Sequence, residues 1–303
     1  MQFFPKKLSQ IYLVLFVSAF LTITGNFTFF QKTLLVYPLS ENWLFLGSLF
    51  FFLFTFLAAL LLLFCYRVTT KPILIVLLMI SAIVSYSTNN YGIVFDHNMI
   101  LNTFETDTSE FLDLVSFKSI LYFFIFGLLP SIFVLKVKLK KISFKAQLWE
   151  RIKTFLVLVI IFVIIVLTFS KHYSSFAREN RDLRLYITPT YYLYSATKFV
   201  DSKFATSTKP FKEIGLDAKL NKKSDTRRLV ILVVGETARA DHMSLNGYDR
   251  NTNPYLEQEE IISFDKMTSC GTDTALSVPC MFSLLDRSSY NHAKGKNMSN
   301  VLD

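Results

Sequence analysis

The stretch WLFLGSLFFFLFTFLAALLLLFCY, Trp43 to Tyr66, carries no charge. It is longer than the about 20 residues that an α-helix needs to cross the hydrocarbon core of a bilayer. A run of this kind reads as a membrane span, and the composition around it agrees. The 303 residues are 52% hydrophobic and include 32 phenylalanines, more than one soluble core of this size would use. Charged residues are 18% of the chain, but they are crowded between long apolar runs instead of being spread along it.

Working outward from that stretch, four more segments are apolar enough to span: Ile11 to Phe30, Pro72 to Ser87, Ile120 to Leu135 and Phe155 to Ser170. Pro130 is expected to kink the fourth span. The first is read as an uncleaved helix, because further spans follow it and it lacks a small-residue cleavage site. Basic residues favour alternate loops. Lys6 and Lys7 precede the first span, Arg67 and Lys71 separate the second from the third, and Lys136, Lys138, Lys140, Lys141, Lys145, Arg151 and Lys153 lie between the fourth and fifth. The positive-inside rule then puts the N-terminus in the cytoplasm, and an odd number of crossings puts everything after Ser170 outside. The formal net charge of +9 is accounted for by this pattern, so nucleic acid is not an expected partner.

Three sections follow: a transmembrane domain over 1–170 with an external loop at 88–118, an amphipathic connector over 171–228, and a soluble segment over 229–303. The external loop is acidic and polar, with Asp96, Glu105, Asp107, Glu110 and Asp113, and is too long for a simple turn. The connector mixes basic residues with Tyr186, Tyr191, Tyr192, Tyr194, Phe199 and Phe204, which suits either the headgroup layer or a plain tether. Thr188 and Pro189 read as a helix N-cap and first-turn proline. At Leu229 the run LVILVVG is short, β-branched and closed by glycine, the pattern of a buried parallel strand opening an α/β domain. Ligands in such sheets gather beyond the carboxyl ends of the strands, where Glu236 stands.

Glu236 alone could equally cap the next helix or pair with Arg239. Zinc takes about four ligands, so one carboxylate would need partners from elsewhere in the chain. The second chemistry-bearing stretch is SCGTDTALSVPCMFS, Ser269 to Ser283, which sets Thr272, Thr274 and Ser277 between two cysteines. Cys270 and Cys280 lie outside the spans, and an outward-facing pair in an oxidising compartment is expected to be bridged; a thiolate metal site or two free thiols are the alternatives. A threonine hydroxyl needs a base or a metal to act as a nucleophile, and at a helix start it would sit beside N–H groups that favour phosphate. The same residue could be a plain N-cap.

Together, VVGETARADHMSLNGYDRNTNPYL, Val233 to Leu256, and SCGTDTALSVPCMF resemble the lipid A phosphoethanolamine transferases, the family that includes the mobile colistin-resistance enzymes. Both motifs match in order and spacing. The stretch YGIVFDHNMILNTFETDTSE, Tyr91 to Glu110, is similar to the family's first periplasmic loop. The resemblance implies an α-helical membrane domain of five transmembrane helices, followed by the start of an α/β alkaline-phosphatase-like hydrolase domain in the periplasm. It implies a zinc-dependent transferase that moves phosphoethanolamine from phosphatidylethanolamine to lipid A or another part of lipopolysaccharide through a covalent phosphothreonine. By motif position Thr274 is the nucleophile and a metal contact, and Glu236 is the first zinc ligand. Asn102, Thr106 and Glu110 fall where the family binds the phosphoethanolamine or lipid headgroup; their fourfold spacing also fits one face of a capped amphipathic helix.

The family's hydrolase domain continues well beyond the position of Asp303, and its later zinc-binding Asp and His pair has no counterpart in the chain. His242 and His292 stand in the wrong places to replace them. On this reading the chain is C-terminally truncated and is expected to be inactive alone. The motifs do not name the acceptor: a sister transferase acting on core heptose or a periplasmic glycan, or a phosphoglycerol transferase, fits them too, and a non-catalytic membrane remnant is the alternative from another class.

Overall fold

The computed structural model describes residues 7–105, 115–140, 142–204, 211–217, 219, 229–235, 238–264, 266–271 and 274–290. The chain divides into two compact units, Met1–Ser202 and Lys203–Asp303.

The first unit is helical. Its leading elements are α1 (Gln10–Gly25), α2 (Phe27–Val36), α3 (Leu39–Phe64) and α4 (Thr70–Tyr91). They are followed by the short α5 (His97–Glu105), then α6 (Phe117–Lys136) and α7 (Phe144–Thr168). The unit ends with α8 (Ser170–Glu179), a 3-10 turn at Arg181–Tyr186, and α9 (Thr190–Phe204). Among the described residues four helices are long and apolar enough to cross a membrane, and α1 with α2 makes a fifth span if the bent pair counts as one. The helices overrun the apolar runs at their ends: α4 begins at Thr70 with Pro72 in its first turn, and α7 begins at Phe144 behind an N-cap, where Ala146 N–H donates to Ser143 Oγ at 3.4 Å.

Helix α3 packs between α1 and α7, and α4 packs against α1 and α6. Leu13, Val14 and Val17 of α1 meet Leu57, Ala58 and Leu61 of α3 and Leu74 and Leu78 of α4 in one buried cluster. The apolar stretch of α7 is only 11% buried, against 50% for α3 and α4. Side chains such as Leu156, Ile160 and Ile164 face outward, and an exposed apolar surface of this length is accounted for by lipid.

The first span is not the continuous helix expected over Ile11 to Phe30. It bends by 58° at Asn26, whose φ and ψ of −116° and 25° lie outside the helix. A break inside a bilayer frees carbonyls that water cannot reach. The Asn26 amide takes their place: Nδ2 donates to Leu21 O at 3.2 Å, to Thr22 O at 3.3 Å and to Thr188 O at 2.8 Å, while Oδ1 accepts the Thr188 N–H at 2.9 Å. Thr188 therefore does not cap a helix, as its position before Pro189 had suggested. Its backbone is clamped to Asn26, the Thr188–Pro189 bond is cis, and α9 starts at Thr190.

Pro130 also acts differently from the expected kink. The turn before it, Phe124–Leu128, is π-helical, with the Leu129 N–H bonded back to Phe124 O. Proline has no N–H and crowds the preceding turn, and a widened turn accommodates both while the span continues. Ser131 Oγ donates to Gly127 O at 2.7 Å within that turn. Gly127 lets α6 approach α4 closely, since a Cβ there would lie 3.1 Å from Ala82 Cβ.

Residues 171–202 of the connector are part of this unit and are no tether. Phe176 of α8 packs on Phe29, Tyr37 and Phe45; Tyr173 shares a 3.0 Å hydrogen bond with Ser48, and Tyr192 of α9 a 3.1 Å bond with Ser81. Burial pushes the Tyr173 phenol up to about 12.

In the second unit, the run at Leu229 is not the buried strand expected from its composition. Among the described residues no strand is formed, and the paired bridge, Leu8 to Leu139, lies in the first unit. Leu229 to Val233 are 61–86% exposed. A parallel strand needs neighbours for its N–H and C=O groups on both sides and cover on both faces. No described residue supplies a paired strand, so the run lies open.

The Asn26 clamp yields a direct test. Asn26→Ala leaves the buried Thr188 N–H and C=O unpaired and should destabilise the helical unit by about 2–4 kcal/mol, read from reversible unfolding in mixed micelles. A loss under about 0.5 kcal/mol, the size of an ordinary surface substitution, would show that the break is held by something else.

Candidate active site

The two motifs behind the expected chemistry fold locally in the second unit. In the first, 3-10 turns at Ala240–His242 and Ser244–Asn246 lead to Gly247, whose φ of 92° is open to glycine and costly for other residues. Side chains tie these turns together. Asn246 Nδ2 donates to Ala240 O at 2.9 Å, Thr252 Oγ1 donates to His242 O at 2.8 Å and accepts from the Ser244 N–H at 3.0 Å, and Asn253 N–H donates to Ser244 Oγ at 3.1 Å. The abundance of Asn, Ser and Thr in this motif thus has a structural use, since short polar side chains substitute for backbone partners in turns.

Glu236, whose pairing with Arg239 the sequence left open, lies outside the described residues, but Arg239 itself has a partner. It forks onto Asp241, with Nε to Oδ1 at 2.9 Å and NH2 to Oδ2 at 2.6 Å, and His242 Nδ1 lies 3.0 Å from Oδ1. Arg239 and then His242 hold the Asp241 carboxyl well below the usual carboxylate range. Asp241 was not singled out from the sequence, although an Arg two residues before it and a His directly after it were a visible signal. The His242 ring rests on Tyr248, with centroids 4.8 Å apart.

In the second motif Cys270 and Cys280 form a disulfide, with Cα atoms 6.3 Å apart. Of the three states open to these cysteines, the bridged one is found. The bridge spans the turn that leads into α10 (Thr274–Met281) and the helix itself. Ser269 Oγ donates to Gly271 O at 2.6 Å and accepts the Gly271 N–H at 3.2 Å. A Cβ on Gly271 would clash with Leu276 Cδ2 and would force that side chain to shift, so glycine suits this close approach to the helix. Thr274 is the first residue of α10 and is exposed. It stands at the N-terminal end of the helix, the end that favours an anion.

Asn102, in the first unit, lies on α5. Asp96 caps that helix by accepting the Met99 N–H at 2.8 Å, and Phe104 stacks on Phe199 of α9 with centroids 5.2 Å apart. Asn102 is half-buried. The helix expected around it is present as far as Glu105, while Thr106 and Glu110 lie outside the described residues.

Zinc was expected at Glu236 and Thr274. Among the described residues no three of His, Cys, Asp or Glu converge to hold a metal ion. Glu236, the expected carboxylate ligand, lies outside the described residues, and Thr274 offers a hydroxyl oxygen of the kind that can join a carboxylate on zinc.

Residues 53–204 match the family described as Phosphoethanolamine transferase EptA/EptB, and residues 228–303 match the family described as Sulfatase. The chain is 39% identical to Phosphatidylethanolamine transferase Mcr-1 of Escherichia coli, over 99% of its own length and 57% of the relative's. It is 30% identical to Phosphoethanolamine transferase EptA of Salmonella typhimurium, over 98% and 55% respectively. The solved integral membrane lipooligosaccharide phosphoethanolamine transferase A (EptA) from Neisseria meningitidis superposes with a TM-score of 0.89 at 30% identity, over 98% of this chain and 56% of that one. The chain thus spans about half the length of the curated relatives it matches. Its architecture is a multi-pass helical membrane domain followed by the start of a sulfatase-like hydrolase domain. From the match over half of its residues and the likeness over nearly all of them, the chain belongs to the phosphoethanolamine transferase EptA/EptB family.

Proposed function

We propose that the protein transfers phosphoethanolamine from phosphatidylethanolamine to lipid A, with Thr274 as nucleophile, at the outer face of the cytoplasmic membrane. The observation that carries this reading is the position of Thr274, at the start of a helix fastened by a disulfide, in a chain of this family. Helix-start N–H groups stabilise the charge that grows on phosphoryl oxygens, and a fixed turn holds the hydroxyl in line.

In the first half-reaction a bond forms between Thr274 Oγ and phosphorus, the bond from phosphorus to the diacylglycerol oxygen breaks, and the threonine proton ends on diacylglycerol. In the second, an acceptor hydroxyl of lipid A replaces Thr274 on phosphorus and threonine recovers its proton. Zinc, held in part by Glu236 and Thr274, would lower the hydroxyl pKa and offset phosphate charge. Asn102, Thr106 and Glu110 contact the phosphoethanolamine or lipid headgroup. The orientation is supported by the basic residues at one end of the spans, and the periplasmic placement by a disulfide, which persists in oxidising compartments. Both substrates are amphiphiles, and the spans keep the chemistry beside the leaflet that contains them.

The nucleophile is tested in the protein extended after Asp303 with the C-terminal part of the Mcr-1 relative. Incubated with phosphatidylethanolamine, it should carry a phosphoethanolamine adduct on the proteolytic peptide containing Thr274, and Thr274→Ala should lower diacylglycerol release at least about a thousandfold. An adduct on another residue, or a Thr274→Ala variant that keeps its rate, would remove Thr274 from the chemistry.

Compartment is tested through the cysteines. In protein denatured without reductant, a maleimide should label Cys65, the free and buried thiol, while Cys270 and Cys280 should react only after reduction. Labelling of all three without reductant, in protein isolated with thiols trapped at lysis, would count against an oxidising surrounding for this segment.

A further inference from the structure

The two ends of the helical unit are chemically different. At the end bearing the start of α1, the last turn of α3 and the end of α6, the chain folds around a cavity of about 640 Å³. Five cationic residues line it: Lys7, Arg67, Lys71, Lys136 and Lys138. They come from three separate segments that the fold brings together. Leu8 N–H donates to Lys138 O at 2.9 Å and Lys140 N–H to Leu8 O at 3.0 Å, which fixes the N-terminal segment against the chain leaving α6. Lys71 Nζ donates to Leu135 O at 2.6 Å, joining the start of α4 to the end of α6.

Among the described residues no acidic side chain lines the cavity, and none of the five cations forms an ion pair. The remaining lining is apolar: Val68 is 84% exposed and Leu135 57% exposed, with Val137 and Leu139 behind them. The volume lies within the about 300–1,000 Å³ of small-molecule sites. Positive residues spread along a loop would satisfy membrane orientation alone; their convergence on one concave surface beside exposed apolar side chains is a further feature.

The structure assigns to this cavity the headgroup of an anionic phospholipid, with one or two phosphodiesters set among Lys7, Arg67, Lys71, Lys136 and Lys138 and its chains beside Val68 and Leu135. Such a site is distinct from the proposed chemistry: α5 with Asn102 follows the opposite end of α4, and the ligand is an anionic lipid where the proposed donor is zwitterionic. Phosphate is the shared chemistry of a lipid headgroup and a soluble phosphate, but a soluble ion has no use for the exposed Val68 and Leu135. The lipid would hold the N-terminal segment, the loop after α3 and the end of α6 together at the membrane surface.

The test is native mass spectrometry of the whole chain released from micelles containing dioleoylphosphatidylglycerol, cardiolipin or, as the neutral reference, dioleoylphosphatidylcholine. Anionic lipid should stay bound where phosphatidylcholine does not, and Arg67→Gln with Lys138→Gln, both exposed positions, should cut that retention about tenfold. Arg67→Lys with Lys138→Arg should bind like the original protein. Lys171→Gln with Arg178→Gln, which removes the same charge from the other end, should also leave retention unchanged. Equal retention by the Gln pair and the original protein would overturn the site. So would an equal loss in the Lys171 and Arg178 pair, or displacement of the lipid by pyrophosphate at matched phosphate concentration, which would mark a site for a soluble ion.

Discussion

A backbone polar group inside a bilayer has no water to turn to, and that constraint governs how this helical unit is built. An unbroken helix meets it alone, but this chain breaks its helices at membrane depth and at their ends. Two of these breaks are covered by long or amide side chains. At Asn26 the amide serves the freed carbonyls of α1 and fastens Thr188 from much later in the sequence. At the end of α3, Arg151 is buried, donates to Cys65 O at 2.6 Å and to Leu62 O, and lies 3.9 Å over the Tyr66 ring. Gln10 adds donors to Cys65 O at 2.5 Å and Thr70 Oγ1 at 2.6 Å, and Gln147 bonds to Gln10. A cation at this position also complements the negative end of the α3 dipole.

These contacts decide which segments stay together. Arg151 and Gln10 bind the beginnings of α1 and α7 to the end of α3, at the same end where the lysines gather. Asn26 with Thr188, Thr28 with Asn89, Ser48 with Tyr173 and Lys118 with Asn90 mark the other end, to which α8 and α9 are anchored. A connector with no fixed partners could not position α5, whose Phe104 stacks on Phe199. The helical unit therefore presents the Asn102 helix on a braced surface.

Most of the membrane architecture was legible because an apolar run of spanning length has few other readings. The positions of α3, α4, α6 and α7 follow directly from such runs, although each helix extends into polar flanks that carry no apolar signal. The bend at Asn26 was hidden, since Gly25 and Asn26 sit inside an apolar stretch and their meaning depends on Thr188. The helices of the connector were hidden for the same reason: Tyr192 reads as a headgroup-layer aromatic until its partner Ser81 is known, and Tyr173 and Phe176 carry no signal of their own until Ser48 and Phe45 are seen beside them. At Leu229 the composition spoke for a strand, but a strand exists only by pairing. Within the candidate site, the start of α10 and the cysteine bridge were legible from the order of Cys, Gly, Thr and Cys. The Asp241 cluster was hidden because Glu236 and Asp241 both lie within three residues of Arg239, and spacing does not choose between two near carboxylates.

Two regions of the chain are suited to phosphate by different means, and the difference follows from what each must do. Group transfer needs an oxygen held in line with phosphorus, so a short helix, a glycine turn at Gly271 and a disulfide are used where backbone N–H groups and one hydroxyl have fixed directions. Retaining a lipid needs only charge that can follow a mobile headgroup, and lysines on flexible stems supply that without a set geometry. Among the described residues, Lys71 is the one cation of the five whose side chain donates to a backbone carbonyl, Leu135 O. That places rigidity in the hydrolase segment and adaptability at the end of the spans, as transfer chemistry and lipid retention respectively require.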